Sequence, residues 1–233
     1  MSQELAKKAV KSLRFLGRDL VVFRGEDGSA TILDAYCPHL GAHLGVGGKV
    51  IGNTIQCPFH GWRYDSKGEC VSIPYCKKIP PRAHLQAWNV CEVNGHIFAY
   101  FDENGGDPSF DIPQLFENGA HWTNFVTRSW TINTTIEEAS KSAMNIQLLE
   151  GASVDRTMHG VGVVHGASES GRIKSRIVMS MTPIDAKTVD LQIAVSTRKS
   201  WNPLINASVK RMMPSDVSKA FSLGTRRHLN VVA

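Results

Sequence analysis

Two short segments of this sequence pair a thiol with an imidazole. Cys37-Pro38-His39 is followed, after seventeen further residues, by Cys57-Pro58-Phe59-His60. Thiolate and imidazole at such spacing bind metal, because these are the donors that zinc and iron favour. A proline directly follows each cysteine, and a glycine, Gly41 or Gly61, stands close behind. Proline stiffens the approach, and glycine tolerates the backbone reversal needed to fold tightly round an ion. Two assignments compete. A single zinc on two Cys and two His prefers a cysteine pair followed by a histidine pair carried on a helix. Here each loop offers one Cys and one His, with β structure around it. That arrangement fits a [2Fe–2S] centre with Cys37 and Cys57 on one iron and His39 and His60 on the other. Two ferric ions, two sulfides and two thiolates sum to zero charge, so this centre accepts an electron more readily than an all-cysteine one. The outer nitrogens of His39 and His60 should reach solvent or a partner, as an exit for electrons and protons.

The elements that must position these loops read as short strands. Residues 13–23 (LRFLGRDLVVF) hold two apolar stretches with a turn signal at Gly17-Arg18-Asp19, and Glu26-Asp27-Gly28 marks a second turn. Residues 30–33, 49–55 and 62–65 read as further strands. Asn94-Gly95, between residues 88–93 and 96–101, is a strong two-residue hairpin signal. Turns at such intervals argue a small antiparallel barrel or sandwich. The Gly-, Pro- and Asp-rich stretch 102–113 (DENGGDPSFDIP) is the best boundary, giving domains at 1–115 and 116–233. In the second, residues 135–149 read as a helix, with Thr134 or Thr135 and Glu137 or Glu138 forming a capping box. Residues 172–182 and 188–197 alternate apolar and polar, a hairpin turning at 183–187. Residues 206–221 read as a helix broken at Pro214.

The block His60-Gly61-Trp62-Arg63-Tyr64 resembles the Rieske non-heme iron oxygenases. The wider run LVVFRGEDGSATILDAYCPHLGAHLGVGG, IQCPFHGWRYDSKGEC and IPYCKKIPP is similar to the steroid-acting branch, which includes cholesterol 7-desaturases and ketosteroid 9α-hydroxylase oxygenase components. High-potential Rieske proteins carry an extra cysteine in each loop and a serine after the glycine. Here those positions are Ala42, Phe59 and Trp62. Fewer donors to the cluster imply a lower potential. The resemblance implies an α+β chain: an antiparallel β Rieske domain, then a truncated helix-plus-antiparallel-sheet domain like the catalytic domain. It implies a reductase partner, either an NAD(P)H-dependent flavoprotein or a ferredoxin, a sterol substrate and a homotrimer.

The family also implies a mononuclear Fe(II) held by Asp-x2-His-x4-His and a late carboxylate. In that register the Asp is Asn145 and the two histidines are Leu148 and Ser153. Leu has no donor atom, Ser is a poor one and Asn lacks the charge, so the oxygen-activating site reads as lost. Asp155, His159 and His165 form another conceivable triad. Residues 158–165 (MHGVGVVH) read as an extended strand, however, which would hold the two histidines ~20 Å apart unless the chain turns at Gly160 or Gly162. Asp185, Asp190 and Asp216 are then turn or surface residues. About half the chain remains after a Rieske domain, less than the family's iron-binding domain needs, so a stand-alone electron carrier of ferredoxin type is the alternative function. A structural zinc module is a third.

The remaining special residues have plainer readings. Cys70, Cys76 and Cys91 read as buried thiols, His43 as a polar neighbour of the first loop, and His84, His96 and His121 as surface or satisfied histidines. Lys77, Lys78 and Arg82 form a solvated loop that could also steer an acidic redox partner. The chain has 233 residues, 42% hydrophobic and 20% charged, which excludes a disordered or fibrous protein. Five cysteines are too few for a disulfide scaffold. A net charge of +5 without basic blocks argues against nucleic acid. No apolar run is long enough to span a membrane, and no signal peptide is visible. The expected location is cytoplasmic, or membrane-associated by family resemblance.

Overall fold

The computed structural model describes residues 2–102, 104, 106–116, 121–145, 154–170 and 173–199. It divides into two compact units, Met1–Leu115 and Phe116–Ala233. The architecture is α+β: antiparallel sheets throughout, with one α-helix among the described residues.

In the first unit, β1 (Val10–Phe15), β2 (Arg18–Arg24) and β3 (Ala30–Asp34) form a meander. β2 is central, and its run Leu20-Val21-Val22-Phe23 is buried on both sides. A continuous apolar strand suits that place, because alternate residues face opposite ways. Leu20 and Val22 pack with Ile32, Trp88 and Val90, while Val21 and Phe23 face the core beneath the Cys–His loops. That second core rests on a four-stranded sheet: β4 (Lys49–Ile51), β5 (Thr54–Gln56), β6 (Arg63–Tyr64) and β7 (Cys70–Ser72). β8 (Asn89–Val93) and β9 (His96–Tyr100) form a ribbon turning at Asn94-Gly95, both at positive φ, as the sequence predicts. Arg24 ties the N-terminus to this ribbon. Its guanidinium donates to the carbonyls of Leu5 and Ser2 and pairs with Glu92 at 2.9 Å.

In the second unit, β10 (Val126–Asn133), β11 (Val154–His159), β12 (Val163–Ser170), β13 (Ile173–Asp185) and β14 (Thr188–Thr197) form one antiparallel sheet in the order β10-β14-β13-β12-β11. Helix α1 (Ile136–Asn145) packs Ala139 and Ala143 on the face bearing Ile177, Met179, Met181, Leu191 and Ile193. Its capping box resolves to Thr135, whose hydroxyl accepts the Glu138 N–H at 3.3 Å. Ser140 then accepts the Gly162 N–H at 3.1 Å, which fixes the β11–β12 turn against the helix.

Several sequence expectations change. The first hairpin turns at Leu16-Gly17, not at Gly17-Arg18-Asp19, because Phe15 pairs with Arg18. The type I′ turn, which matches strand twist, needs φ > 0 at both positions, and Leu16 and Gly17 adopt φ 49° and 73°. Pro183 lies within β13 at a register shift rather than in the turn, which is Ala186-Lys187. A bulge lets proline sit in a strand without breaking the ladder. Cys70 is buried, but Cys76 and Cys91 are exposed. Cys91 is on the solvent side of the two-stranded ribbon, and Cys76 closes a tight turn back to Ile73. Of the two readings of His96, the satisfied one holds: it is buried, stacked on Phe98, with Nδ1 3.0 Å from the Asn94 carbonyl oxygen. The helix expected at 206–221 lies outside the described residues.

Leu16→Asn relieves the left-handed strain and stabilises the chain by roughly 1 kcal/mol. Urea denaturation checks this, and a destabilised variant contradicts it. Burial holds the His96 imidazole neutral, with its pKa pushed down to about 4. The unfolded imidazole takes up a proton below about pH 6.5 that the folded one refuses. Stability from this group is therefore full above about pH 6.5 and falls as pH drops towards 4, by about 3 kcal/mol at most. The stability of wild type relative to His96→Gln should therefore fall as pH drops from about 6.5 to 4, whatever its value above that window. A pH-independent difference contradicts the assignment.

Candidate metal centre

Two loops built on one plan carry the four candidate ligands. The first leaves β3 and the second leaves β5. In the first, the Cys37 N–H donates to the Ala42 carbonyl at 2.9 Å and the Gly41 N–H to the Cys37 carbonyl at 2.8 Å. In the second, the Cys57 N–H donates to the Trp62 carbonyl at 2.8 Å and the Gly61 N–H to the Cys57 carbonyl at 3.2 Å. The glycines have φ 71° and 70°, the left-handed reversal that lets each loop close on its own cysteine. At the second, a Cβ would also be crowded, 3.0 Å from Pro74 and 3.1 Å from the Gln56 amide, so those side chains would have to shift.

This closure sorts the donors by polarity. Cys37 and Cys57 point into the core at 2% and 3% exposure, among Leu44, Ile55, Trp62 and Tyr64. The imidazoles stay at the rim, His39 half-buried and His60 exposed, with ring centroids 4.7 Å apart. Burial raises the Cys57 pKa, while the Phe59 and His60 N–H groups pull it back and the neighbouring Cys37 thiol adds to the rise. Burial also raises that of Cys70. A buried thiol pair beside backbone N–H donors would suit a bound iron, because the metal would replace the thiol protons and the N–H groups would stabilise sulfur charge. No group of three or more His, Cys, Asp or Glu among the described residues is arranged for one ion. The four donors instead form a thiol pair and an imidazole pair, the division that a mixed-ligand two-iron centre needs.

Two aromatic residues belong to the site that spacing alone did not reveal. The Tyr64 hydroxyl lies 3.2 Å from Cys37 Sγ, and its pKa is raised first by burial and then by that thiol. Trp62 stacks on His39, with centroids 4.5 Å apart and planes within 9°. The available signal was strand alternation, which puts Trp62 and Tyr64 on one inward face of the chain entering β6. His43 supports the first loop: its Nδ1 accepts the Gly45 N–H at 3.0 Å. His84 pairs with Glu69 at the surface.

In the second unit, the expectation that His159 and His165 stand far apart is overturned. The chain reverses at Gly160 and Gly162, both at positive φ, so β11 and β12 pair and the two rings approach to 4.9 Å. Asp155 shares that strand face but is exposed and does not complete a three-ligand group with them. Asp185 accepts the Lys187 N–H in a turn, and Asp190 is half-buried on β14. Asn145 ends α1, its amide donating to the Lys141 carbonyl at 3.2 Å. Leu148, Ser153 and Asp216 lie outside the described residues.

Residues 1–89 match the Rieske [2Fe-2S] domain family. This stretch is a Rieske [2Fe–2S] domain, and the buried thiol pair with its rim of imidazoles fits that cofactor. The chain carrying it is similar to sterol-acting relatives. It is 39% identical over 163 residues to a cholesterol 7-desaturase of Ciona intestinalis, covering 70% of this chain and 35% of that protein. It is 45% identical over 116 residues to a probable 3-ketosteroid-9-alpha-monooxygenase oxygenase component of Rhodococcus rhodochrous, covering 48% and 29%. This chain thus spans about a third of the length of these curated relatives. Among solved structures, apo dicamba monooxygenase shares the fold over 97% of this chain and 84% of its own, at TM-score 0.74 and 17% identity.

A Tyr64 hydroxyl proton offered to sulfur favours the more negative, reduced state. Tyr64→Phe should therefore lower the reduction potential of the iron-loaded protein, by roughly 40 mV for a bond worth about 1 kcal/mol. A redox titration checks this, and an unchanged or higher potential contradicts it.

Proposed function

We propose that this chain is a Rieske electron-transfer protein of the sterol- and steroid-acting type. Cys37 and Cys57 hold one iron of its [2Fe–2S] cluster, and His39 and His60 hold the other. The observation that carries this reading is the pair of matched loops that turns both thiols inward and both imidazoles outward. One-electron transfer is the chemistry such a cluster supplies when bound. The apolar core round Cys37 and Cys57 keeps water from the sulfurs, and exposed His60 offers the short path to a partner. An NAD(P)H-dependent flavoprotein or a ferredoxin is the donor in this reading, and the substrate class is sterols, as in the relatives' names. Tyr36, Leu40, Val46, Phe59 and Tyr75 are all more than half exposed on or beside the two loops. An apolar surface of this kind is normally covered in an assembly, and the assembly that the family resemblance implies is a homotrimer.

The mononuclear iron site is lost in this reading. Asn145, Leu148 and Ser153 stand where Asp and two His would be needed. The Asn145 amide is also engaged by its own helix. These substitutions favour the second function, an electron carrier of ferredoxin type without oxygen chemistry. No helix among the described residues is long and apolar enough to cross a membrane.

Metal and sulfide analysis of anaerobically purified protein, with EPR after dithionite reduction, tests both parts. Two irons and two labile sulfides per chain with a Rieske signal are expected. A further high-spin ferrous ion that binds nitric oxide contradicts the loss of the second site. Zinc without labile sulfide contradicts the cluster.

A further inference from the structure

The two imidazoles at the rim are held very differently. His60 is exposed, and its ring contacts among the described residues are T-shaped ones, with His39 and with Phe59 at 6.1 Å. His39 is half-buried and lies flat on the Trp62 indole, nearly parallel, with the His60 ring across its edge. Trp62 is itself fixed in three ways. The residue is 6% exposed within the loop core. Its carbonyl accepts the Cys57 N–H that closes the second loop. Its indole N–H donates to the Tyr75 hydroxyl at 2.7 Å. Tyr75 comes from a separate turn, closed by the Cys76 N–H on the Ile73 carbonyl, whose Pro74 packs against Gly61. A ring from the second loop thus supports a ligand of the first, and a third segment braces that ring from outside.

We infer that Trp62, braced by Tyr75, is a positioning residue that fixes the ring plane of His39 and leaves His60 as the freer, exposed ligand. Parallel stacking resists rotation of the imidazole about its bond to the metal, because any tilt breaks contact across the whole ring face. Second-shell contacts of this kind orient ligands and tune a centre without touching the metal. The inference rests on the proposed ligation by His39 and His60. It goes beyond that ligation in making the two histidines inequivalent through residues that donate nothing to iron.

The test uses the full chain loaded with its cluster, reduced with dithionite, in wild type, Trp62→Leu, Trp62→Phe and Tyr75→Phe. Pulsed EPR reads the nitrogen couplings of the ligands, and continuous-wave EPR reads linewidth. Trp62→Leu should broaden or shift the coupling of one histidine and leave the other, with several-fold faster cluster loss to a chelator. Trp62→Phe keeps a flat ring and should restore most of the wild-type spectrum. Tyr75→Phe keeps its aromatic body at an exposed position and removes only the hydrogen-bond acceptor, so it should show a smaller change in the same coupling. Equal changes in both couplings, or identical spectra for Trp62→Leu and Trp62→Phe, overturn the inference. If Trp62→Leu does not fold, Tyr75→Phe decides, and a wild-type spectrum in that variant overturns it. Absence of any Rieske signal in the wild type would defeat the underlying ligation instead, so the two failures are distinguishable.

Discussion

Each of the two Cys–His loops closes on its own cysteine. The cysteine N–H reaches the carbonyl five residues on, and its carbonyl receives the N–H of a glycine four residues on. This double closure uses the main-chain groups that a loop at the edge of a core would otherwise leave unpaired. It forces the cysteine side chain inward and carries the histidine to the rim. Most of the first unit serves this arrangement. β2 is buried on both sides, so one face supports the loops and the other seats the β8–β9 ribbon. The short strands β4 to β7 do little more than deliver the second loop beside the first.

The polarity of the site has an electrostatic consequence. An apolar pocket penalises net charge, and burial already pushes the Cys57, Cys70 and Tyr64 protons towards the bound state. A mixed-ligand centre that is neutral when oxidised tolerates such a pocket better than a four-thiolate centre carrying two negative charges. The donors that do reach the sulfurs, the Phe59 and His60 N–H groups and the Tyr64 hydroxyl, are few. The inner half of the site therefore offers a dry, sparsely hydrogen-bonded place for sulfur, and the outer half offers imidazole to whatever docks there.

What the sequence disclosed depended on how local the cause was. Cys37, His39, Cys57 and His60 are legible because ligand type and spacing are set within a few residues. Asn94-Gly95 and the Thr135–Glu138 cap are legible for the same reason. Leu16 was not, because strand pairing imposed a left-handed conformation that leucine does not advertise. The approach of His159 to His165 was hidden because residues 158–165 alternate like a strand, and only the paired glycines mark the reversal. Cys76 and Cys91 came out exposed because burial of a thiol is decided by what packs above it, which no spacing records. Tyr75 could not be assigned to the site because its contact with Trp62 joins segments thirteen residues apart through a single hydrogen bond.

In the proposed function, two thiolates and two imidazoles of this chain hold a two-iron cluster. Pulsed EPR on the dithionite-reduced protein, prepared with isotopically labelled histidine, tests it most directly. Couplings from two histidine nitrogens are expected, reduced to one when His60 is replaced in a chain that still holds iron. A paramagnetic centre with no histidine nitrogen coupling would contradict it.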